Sequence, residues 1–433
     1  MLETADLHGS LEDPVLTSMN FLNEITSRYP EALSFAAGRP TEQFFDVESL
    51  HQYLRTFCRY LSNERGYSAE EVTRVLCQYG RTNGIVHELI ARHLLVDEDL
   101  EVDPGSIVVT VGCQEAIFLV LRALRADDHD VVLSVSPMYV GLTGAARLLD
   151  MPVVPVASGE SGVDLDDFVA RVRGARERDL RPRACYIVPD FANPSGARLD
   201  LATRRALLDV AAREGILLLE DNPYGLFRGE VGVLPTLKAL DTWHDVIYLG
   251  SFAKTVLPGA RVGYVVADQP VRDRAGGIGA LADQLSKIKS MVTVNTSPLA
   301  QAVIGGKLLE HGCSLYRANV RECQIYRRNM RRVVEGLRAR FGANGDITWN
   351  IPSGGFFAVV TVPFEVDDEL LEVSAREYGV LWTPMRHFYD GSGGLNQLRL
   401  SISSLNGAQI DAGLDRLAAV LHDRGVSRLA TGT

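Results

Sequence analysis

The sequence is poor in cysteine, has no excess of positive charge and contains no long apolar run. Its six cysteines stand in 433 residues without CxxC spacing, which favours reduced thiols over a disulfide framework or a zinc site. The 44 lysines and arginines are outnumbered by 55 acidic residues. The concentrated basic face that nucleic-acid binding requires is therefore not expected.

Apolar segments such as residues 216–219 are far too short to cross a bilayer. The acidic first 13 residues have no apolar core and do not resemble a signal peptide. With 46% hydrophobic and 23% charged residues, the composition is that of an ordinary globular protein. We therefore expect a cytoplasmic protein with no nucleic-acid, membrane or metal partner.

Short apolar segments alternate with longer helical segments through the middle of the chain. The predicted strands are 107–111, 131–135, 153–156, 184–188, 216–220, 246–250 and 262–266. Helices are predicted between most of them, for example over 114–125 and 201–214. Continuous apolar strands that alternate with helices predict an α/β fold with a mostly parallel seven-stranded sheet covered on both faces.

The pattern changes beyond residue 267. Two long helical stretches are predicted there, over 274–310 and 315–341. Strands are then predicted at 347–350, 355–362 and 397–402, and a last helix is predicted at 407–421. The start of the chain lacks strong periodicity. We expect three parts, which are an arm at 1–45 that contributes to the small domain, a large cofactor-binding domain at 46–285 and a smaller α+β domain at 286–433.

Lys254 follows the predicted strand 246–250, at the carboxyl edge of the sheet, where open α/β sheets bind ligands. A desolvated lysine there can form an imine with an aldehyde cofactor. Ser251 and Arg261 stand close by in the sequence and can both bind a phosphate, Arg261 as a fixed fork. A lone lysine of this kind is usually a surface residue, and the two flanking residues favour the functional interpretation.

Asp221 lies just past another apolar strand, where a carboxylate can keep a pyridine nitrogen protonated. Tyr224 can donate a hydrogen bond to a ring oxygen of the same cofactor. The amide of Asn193, in a turn after a third strand, can reach that oxygen as well. A helix-capping aspartate, a core tyrosine and plain turn chemistry are the alternatives that stay open.

Gly112, Cys113 and Gln114 follow the predicted strand 107–111 and open a helix. The glycine lets the backbone approach an anion, and the helix start offers free N–H groups and its positive end. Many strand–helix turns look like this one, so the signal is weak alone. Tyr139 follows the next strand and can stack on a cofactor ring, or can be a core or interface tyrosine.

Together these segments resemble the fold-type I, class I/II aminotransferases, especially the aminoadipate- and kynurenine-type subgroup. The matches run in family order over nearly the whole chain. They are LSFAAGRP (33–40), QYG (78–80) with Gly84, VGCQ (111–114), PMY (137–139), PDFANPSG (189–196), EDNPY (220–224), LGSFAK (249–254), PGAR (258–261) and QLRL (397–400).

The resemblance implies a pyridoxal 5′-phosphate (PLP) enzyme in which Lys254 holds the cofactor as a Schiff base. Asp221 would pair with the pyridine nitrogen, and Asn193 and Tyr224 would bind the ring oxygen. Tyr139 would stack on the ring. The residues implied to hold the phosphate are Gly112, Cys113, Gln114, Ser251 and Arg261.

The resemblance also implies small-molecule amino acid and 2-keto acid substrates. Arg399 matches the arginine that grips the substrate α-carboxylate as a bidentate pair, with Gly38 beside it. Tyr79 matches the tyrosine that reaches the phosphate of the neighbouring subunit, which implies a homodimer with shared sites.

The chain departs from the family pattern in the turn at residues 385–387. Relatives generally read Pro-Gly followed by small residues, whereas this chain has Met385, Arg386 and His387. Arg386 and His387 are candidates for binding an acidic or polar substrate, and a plain surface loop is the equal alternative. Arg39 stands where relatives often have an apolar residue and is a candidate for a distal substrate group. Cys113 replaces a common serine.

The leading hypothesis is an aminotransferase. The altered 385–387 turn keeps open a PLP-dependent lyase, decarboxylase or oxidative deaminase of secondary metabolism, because one fold supports several reactions. A third use of this domain is the effector-binding half of bacterial transcription regulators. It is not expected here, since the roughly 35 residues before the family start lack a helix-turn-helix pattern.

Overall fold

The computed structural model describes residues 2–342, 345–391 and 393–424. Its strands are β1 (Leu33–Ser34), β2 (Ile107–Thr110), β3 (Asp130–Val135), β4 (Val153–Val156), β5 (Arg181–Ile187), β6 (Leu217–Asp221), β7 (Val246–Ser251), β8 (Gly263–Val266), β9 (Pro270–Arg272), β10 (Ile278–Ala280), β11 (Thr348–Trp349), β12 (Phe357–Thr361), β13 (Val380–Leu381), β14 (Thr383–Pro384) and β15 (Gln397–Ser401).

The α-helices in the same residues are α1 (Pro14–Arg28), α2 (Val47–Asn63), α3 (Ala69–Cys77), α4 (His87–Glu98), α5 (Gly112–Leu124), α6 (Val140–Leu148), α7 (Leu165–Arg176), α8 (Leu201–Glu214), α9 (Leu237–Leu240), α10 (Leu281–Val292), α11 (Pro298–Glu310), α12 (Leu315–Ala318), α13 (Val320–Phe341), α14 (Asp368–Val373) and α15 (Gly407–Asp423). None of these helices is both long and apolar enough to cross a membrane.

The larger sheet has seven strands in the order β2-β8-β7-β6-β5-β3-β4. All neighbours pair in parallel except β8, which runs antiparallel to β2 and β7. Successive apolar residues serve opposite faces, as strand geometry requires. Leu218 packs in the cluster that contains α7 and α8 residues, and Leu219 packs with α5 and α6 residues. The predicted mostly parallel, two-sided α/β sheet is confirmed.

A second sheet is antiparallel and has the order β11-β12-β15-β14. Buried residues of α13 and α15 pack in one cluster with those of β12 and β15. The short strand β1 pairs in parallel with β13, which brings the segment after α1 beside this sheet. Arg399 lies in the middle of β15, paired in register with Val359 on one side and Thr383 on the other.

Two parts of the secondary-structure prediction were wrong. The first 45 residues contain the helix α1, which the sequence pattern did not indicate. The stretch predicted as one helical region over 274–310 begins in the turn of the β9–β10 hairpin, continues through β10 and then contains two helices. The helices separate because Val294 has a left-handed φ of +66° and because Pro298 starts a new helix behind the capping hydroxyl of Ser297.

Candidate active site

A cavity of about 270 Å³ lies at the carboxyl edge of the larger sheet, close to the lower end of the range of about 300–1,000 Å³ for small-molecule sites. Asp221 ends β6 and Ser251 ends β7, so parallel strands deliver both residues to this edge. The predicted site residues that line the cavity are Gly38, Arg39, Cys113, Gln114, Tyr139, Asn193, Asp221, Tyr224, Ser251, Lys254, Arg261 and Arg399.

Lys254 lies just beyond β7, and its Nζ donates a hydrogen bond to the carbonyl oxygen of Gly38 at 2.8 Å. Burial, with the positive charges of Arg399 and Arg261, lowers the pKa of Lys254 to about 8. The neutral amine is therefore far more populated near neutral pH than in an ordinary lysine, and it is the nucleophilic form.

Asp221 is only 5% exposed. Burial raises the pKa of its carboxyl group to about 6, and hydrogen bonds from Tyr186 and Cys113 oppose this rise. The Tyr186 hydroxyl donates at 2.6 Å, and the Cys113 thiol at 3.5 Å. Near neutral pH, Asp221 is therefore a charged acceptor deep in the cavity.

The start of α5 forms a cradle suited to an anion. Gly112 has a φ of +72°, and the N-cap residue Val111 makes no side-chain capping bond to the helix, so helix N–H groups remain available to a ligand. A Cβ at Gly112 would lie 2.3 Å from Arg261 Nη2. Glycine therefore leaves the room that the guanidinium occupies beside the helix start.

Arg399 projects from β15 into the cavity and is 5% exposed. Its Nη2 donates to the carbonyl oxygen of Ala36 at 2.8 Å, and its Nη1 donates to Asn193 Oδ1. The guanidinium carbon lies 4.4 Å from the ring centroid of Phe357 and 4.9 Å from that of Phe388. Within the described residues, Arg399 Nε is buried without a partner. A buried planar cation with a spare donor suits a carboxylate ligand.

Four predicted site residues are not part of the cavity lining. Gly112 is buried directly behind it, next to Cys113, and the other three are Tyr79, Arg386 and His387. Tyr79 is 85% exposed. Arg386 Nη2 and His387 Nε2 bind the carboxylate of Asp368 in α14, at 3.0 and 2.7 Å. Asp368 thus binds both side chains, and neither residue lines the cavity among the described residues. Contact of Arg386 or His387 with the substrate stays a prediction.

Sequence reasoning missed three aromatic residues that line the cavity, Tyr186, Phe357 and Phe388. Tyr186 could have been found from strand pairing, since it is in register with Leu219, two residues before Asp221. Phe388 directly follows the 385–387 turn that the sequence singled out, and this position was its signal. Phe357 carried no comparable signal, because it reaches the cavity from the second sheet.

The donor set fits PLP. An amine of lowered pKa suits the aldehyde, a buried carboxylate suits the pyridine nitrogen, and the α5 cradle with Arg261 and Ser251 suits the phosphate. These complementary groups lie around one cavity.

The family model of class I and II aminotransferases matches residues 61–417. This chain belongs to that family. It is a PLP-dependent aminotransferase, with amino acids and keto acids as substrates. The expected family, fold type, activity and cofactor are confirmed, and the comparisons favour transamination over the lyase, decarboxylase and oxidative deaminase alternatives.

Two curated relatives of this aminotransferase are similar over nearly their full length. It is 56% identical to the (S)-3,5-dihydroxyphenylglycine transaminase of Amycolatopsis orientalis, over 98% of this chain and 95% of the relative. It is 31% identical to the 2-aminoadipate transaminase of Thermus thermophilus, over 92% of each chain.

Among solved structures, the aminotransferase resembles the α-aminoadipate aminotransferase of Thermus thermophilus in complex with N-(5′-phosphopyridoxyl)-L-leucine. The TM-score is 0.75 at 28% identity, over 94% of this chain and 97% of the other. An archaeal alanine:glyoxylate aminotransferase has the same fold, with a TM-score of 0.84 at 24% identity over 98% of this chain and 100% of the other.

Proposed function

We propose that this aminotransferase acts on an arylglycine of the (S)-3,5-dihydroxyphenylglycine class and exchanges its amino group with a 2-keto acid. The observation that carries the proposal is the 56% identity to the transaminase named for that compound. The cavity supports it, since Phe357 and Phe388 offer aromatic walls to an aryl side chain.

PLP, when bound, supplies an electron sink for the electron pair that the substrate Cα–H bond leaves behind. In the proposed site, Asp221 holds the proton on the pyridine nitrogen. Lys254 Nζ would bind the cofactor aldehyde before substrate arrives. Once the substrate amine has taken its place on the aldehyde carbon, the released Lys254 amine would be the base that accepts the proton from the substrate Cα. Arg399 holds the α-carboxylate, with Gly38 beside it.

The remaining roles orient the cofactor. Tyr224 and Asn193 donate hydrogen bonds to the ring oxygen, and Tyr139 stacks on the ring. The proposed phosphate ligands are Gly112, Cys113, Gln114, Ser251 and Arg261. Together these contacts hold the ring so that the reacting bond can stand perpendicular to it.

Arg39 is proposed to bind the distal end of the substrate. It lines the cavity from an exposed position, so its guanidinium lies at the rim. Its N–H donors suit the ring hydroxyl groups of a dihydroxyphenyl side chain.

We also propose a homodimer with shared sites, in which the Tyr79 hydroxyl binds the phosphate in the neighbouring subunit. A Cβ at Gly80, the residue after Tyr79, would lie 3.6 Å from Asn295 Nδ2, and exposed apolar residues precede Asn295 in the sequence. Met291 is 84% exposed and Val292 is 50% exposed there. Exposed apolar surface of this kind marks interfaces. The cytoplasmic location and the domain boundaries 1–45, 46–285 and 286–433 stay predictions.

The test mixes the purified holoenzyme with (S)-3,5-dihydroxyphenylglycine under anaerobic conditions and follows the cofactor spectrum. The expected result is conversion to the pyridoxamine form, reversed by a 2-keto acid, with a higher kcat/KM than for 2-aminoadipate or kynurenine. Faster conversion with 2-aminoadipate would contradict the substrate proposal, and release of carbon dioxide would contradict transamination of this compound.

A further inference from the structure

Asp221 is held by side chains from two other elements. Tyr186 belongs to β5, the strand that pairs with β6, and its hydroxyl donates to Asp221 Oδ2 at 2.6 Å. Cys113 is the second residue of α5, and its thiol donates to Asp221 Oδ1 at 3.5 Å. Each carboxylate oxygen therefore receives one donor from the protein and keeps a lone pair for a ligand.

Tyr186 is buried, and Cys113 is partly buried. Tyr186 is 2% exposed, and both residues line the cavity beside Asp221. A buried carboxylate without hydrogen bonds would take up a proton near neutral pH, because burial penalises the charged form. The two hydrogen bonds favour the charged form and lower the pKa of Asp221 against the effect of burial.

We propose that Tyr186 and Cys113 are positioning residues that keep the Asp221 carboxylate charged and correctly oriented for the pyridine nitrogen of PLP. This inference rests on the proposed role of Asp221. It also gives Cys113 a side-chain function, in addition to the backbone contact with phosphate that the sequence suggested.

The other groups that face Asp221 come from several elements. Lys254, beyond β7, favours the carboxylate by its positive charge. Tyr139, beyond β3, and Tyr224, beyond β6, are neutral near neutral pH because burial raises the pKa of both. Tyr186 and Cys113 are therefore the two neighbours whose hydrogen bonds hold this carboxylate, among the residues that the structure describes.

The test measures the equilibrium Kd of the apoenzyme for PLP between pH 5 and 9, together with the absorption spectrum of bound PLP. Tyr186→Phe removes only the hydroxyl group. At pH 7 we expect it to weaken PLP binding by about tenfold, because hydrogen bonds to charged groups are among the stronger ones. The acid limb of the affinity profile, which follows protonation of Asp221, should move to higher pH.

The chain offers a matched control on the opposite neighbouring strand. Tyr248 in β7 is equally buried, and its hydroxyl donates to the carboxylate of Glu98 at 2.8 Å rather than to Asp221. Tyr248→Phe should therefore leave the position of the acid limb unchanged. An affinity and pH profile of Tyr186→Phe that matches Tyr248→Phe would overturn the inference.

A second pair of variants tests the same claim if Tyr186→Phe does not fold. Cys113→Ser keeps a donor and should retain the wild-type acid limb, whereas Cys113→Ala should move it to higher pH. Identical profiles for these two variants would contradict the thiol's role.

The Asp221→Ala variant distinguishes failure of the proposed PLP site from failure of the positioning role. Normal PLP affinity in that variant would refute the proposed site itself. Weak binding by Asp221→Ala with no effect of Tyr186→Phe would refute only the positioning role.

Discussion

Asp368 binds two neighbouring side chains of the unusual turn, with Oδ1 2.7 Å from His387 Nε2 and Oδ2 3.0 Å from Arg386 Nη2. The next residue of the turn, Phe388, lines the cavity. The carbonyl oxygen of Phe388 accepts a hydrogen bond from the Met138 N–H at 2.6 Å. The segment that departs from the family pattern is thus an anchored wall of the cavity.

Asp368→Asn should lower the free energy of unfolding at pH 7 by about 1 kcal/mol. The loss is small because a partly exposed ion pair stabilises the fold less than a buried one. His387 and Arg386 lower the pKa of Asp368, so its contribution is present above the unfolded pKa and is lost as pH falls through the folded pKa. Urea unfolding measures the effect. Glu369→Gln is the control in the same helix turn, and equal losses in both variants would contradict the pairing.

Asp221→Asn should stabilise the apoprotein and weaken its binding of PLP. Burial raises the pKa of Asp221 from 3.8 to about 6. The buried charge therefore destabilises the native state relative to the unfolded state above pH 6. This destabilisation disappears as pH falls towards 4 and the carboxyl group takes up a proton. Removing the charge should therefore add up to about 3 kcal/mol at pH 7.5. The gain should vanish near pH 4. Thermal unfolding at both pH values measures it, and a less stable variant at pH 7.5 would refute the account of this carboxylate.

Gly112→Ala should weaken PLP binding at least about tenfold, because the residue has a φ of +72° and the new Cβ would displace the Arg261 guanidinium. Fluorescence titration of the apoprotein with PLP measures the effect. Gly144→Ala in α6 is the control, since a Cβ there meets nothing within 4 Å. The anion cradle would be wrongly assigned if both variants bound PLP equally well.

Arg399→Lys should lower kcat/KM for the amino acid by about 30-fold or more while PLP affinity stays unchanged. Lysine cannot form the bidentate pair, and loss of a buried charged partner typically costs about 2–5 kcal/mol. Steady-state kinetics measure the effect. Arg386→Lys, which alters the arginine bound to Asp368, should retain kcat/KM. A larger loss in Arg386→Lys than in Arg399→Lys would contradict the proposed role of Arg399 as the carboxylate ligand.

The local pattern of apolar residues in the sequence was enough to predict much of the fold. The strand at 153–156 and the helix at 201–214 have the predicted bounds, because their apolar periodicity and end signals agree. The single helical stretch over 274–310 was wrong, since a left-handed Val294 is a tertiary feature with no sequence signature. Helix α1 was missed because the first 45 residues lack a strong apolar periodicity.

The site could be predicted as far as its residues follow strand ends in sequence motifs. Lys254 and Asp221 were found in this way, whereas Arg399, in the middle of β15, was found only from the resemblance of the QLRL motif (397–400). The structure brings all three residues to one cavity. The orientation of side chains could not be predicted. His387 binds Asp368, 19 residues earlier in the sequence, and only the folded chain shows that partnership.

The most direct test of the account is the position of the covalent bond to PLP. The holoenzyme would be reduced with borohydride, digested and analysed by mass spectrometry, with Lys254→Ala and Lys289→Ala treated in parallel. The account predicts the pyridoxyl group on Lys254 in the wild type and in Lys289→Ala, and none in Lys254→Ala. A pyridoxyl group on another lysine of the wild type, or one retained in Lys254→Ala, would contradict it.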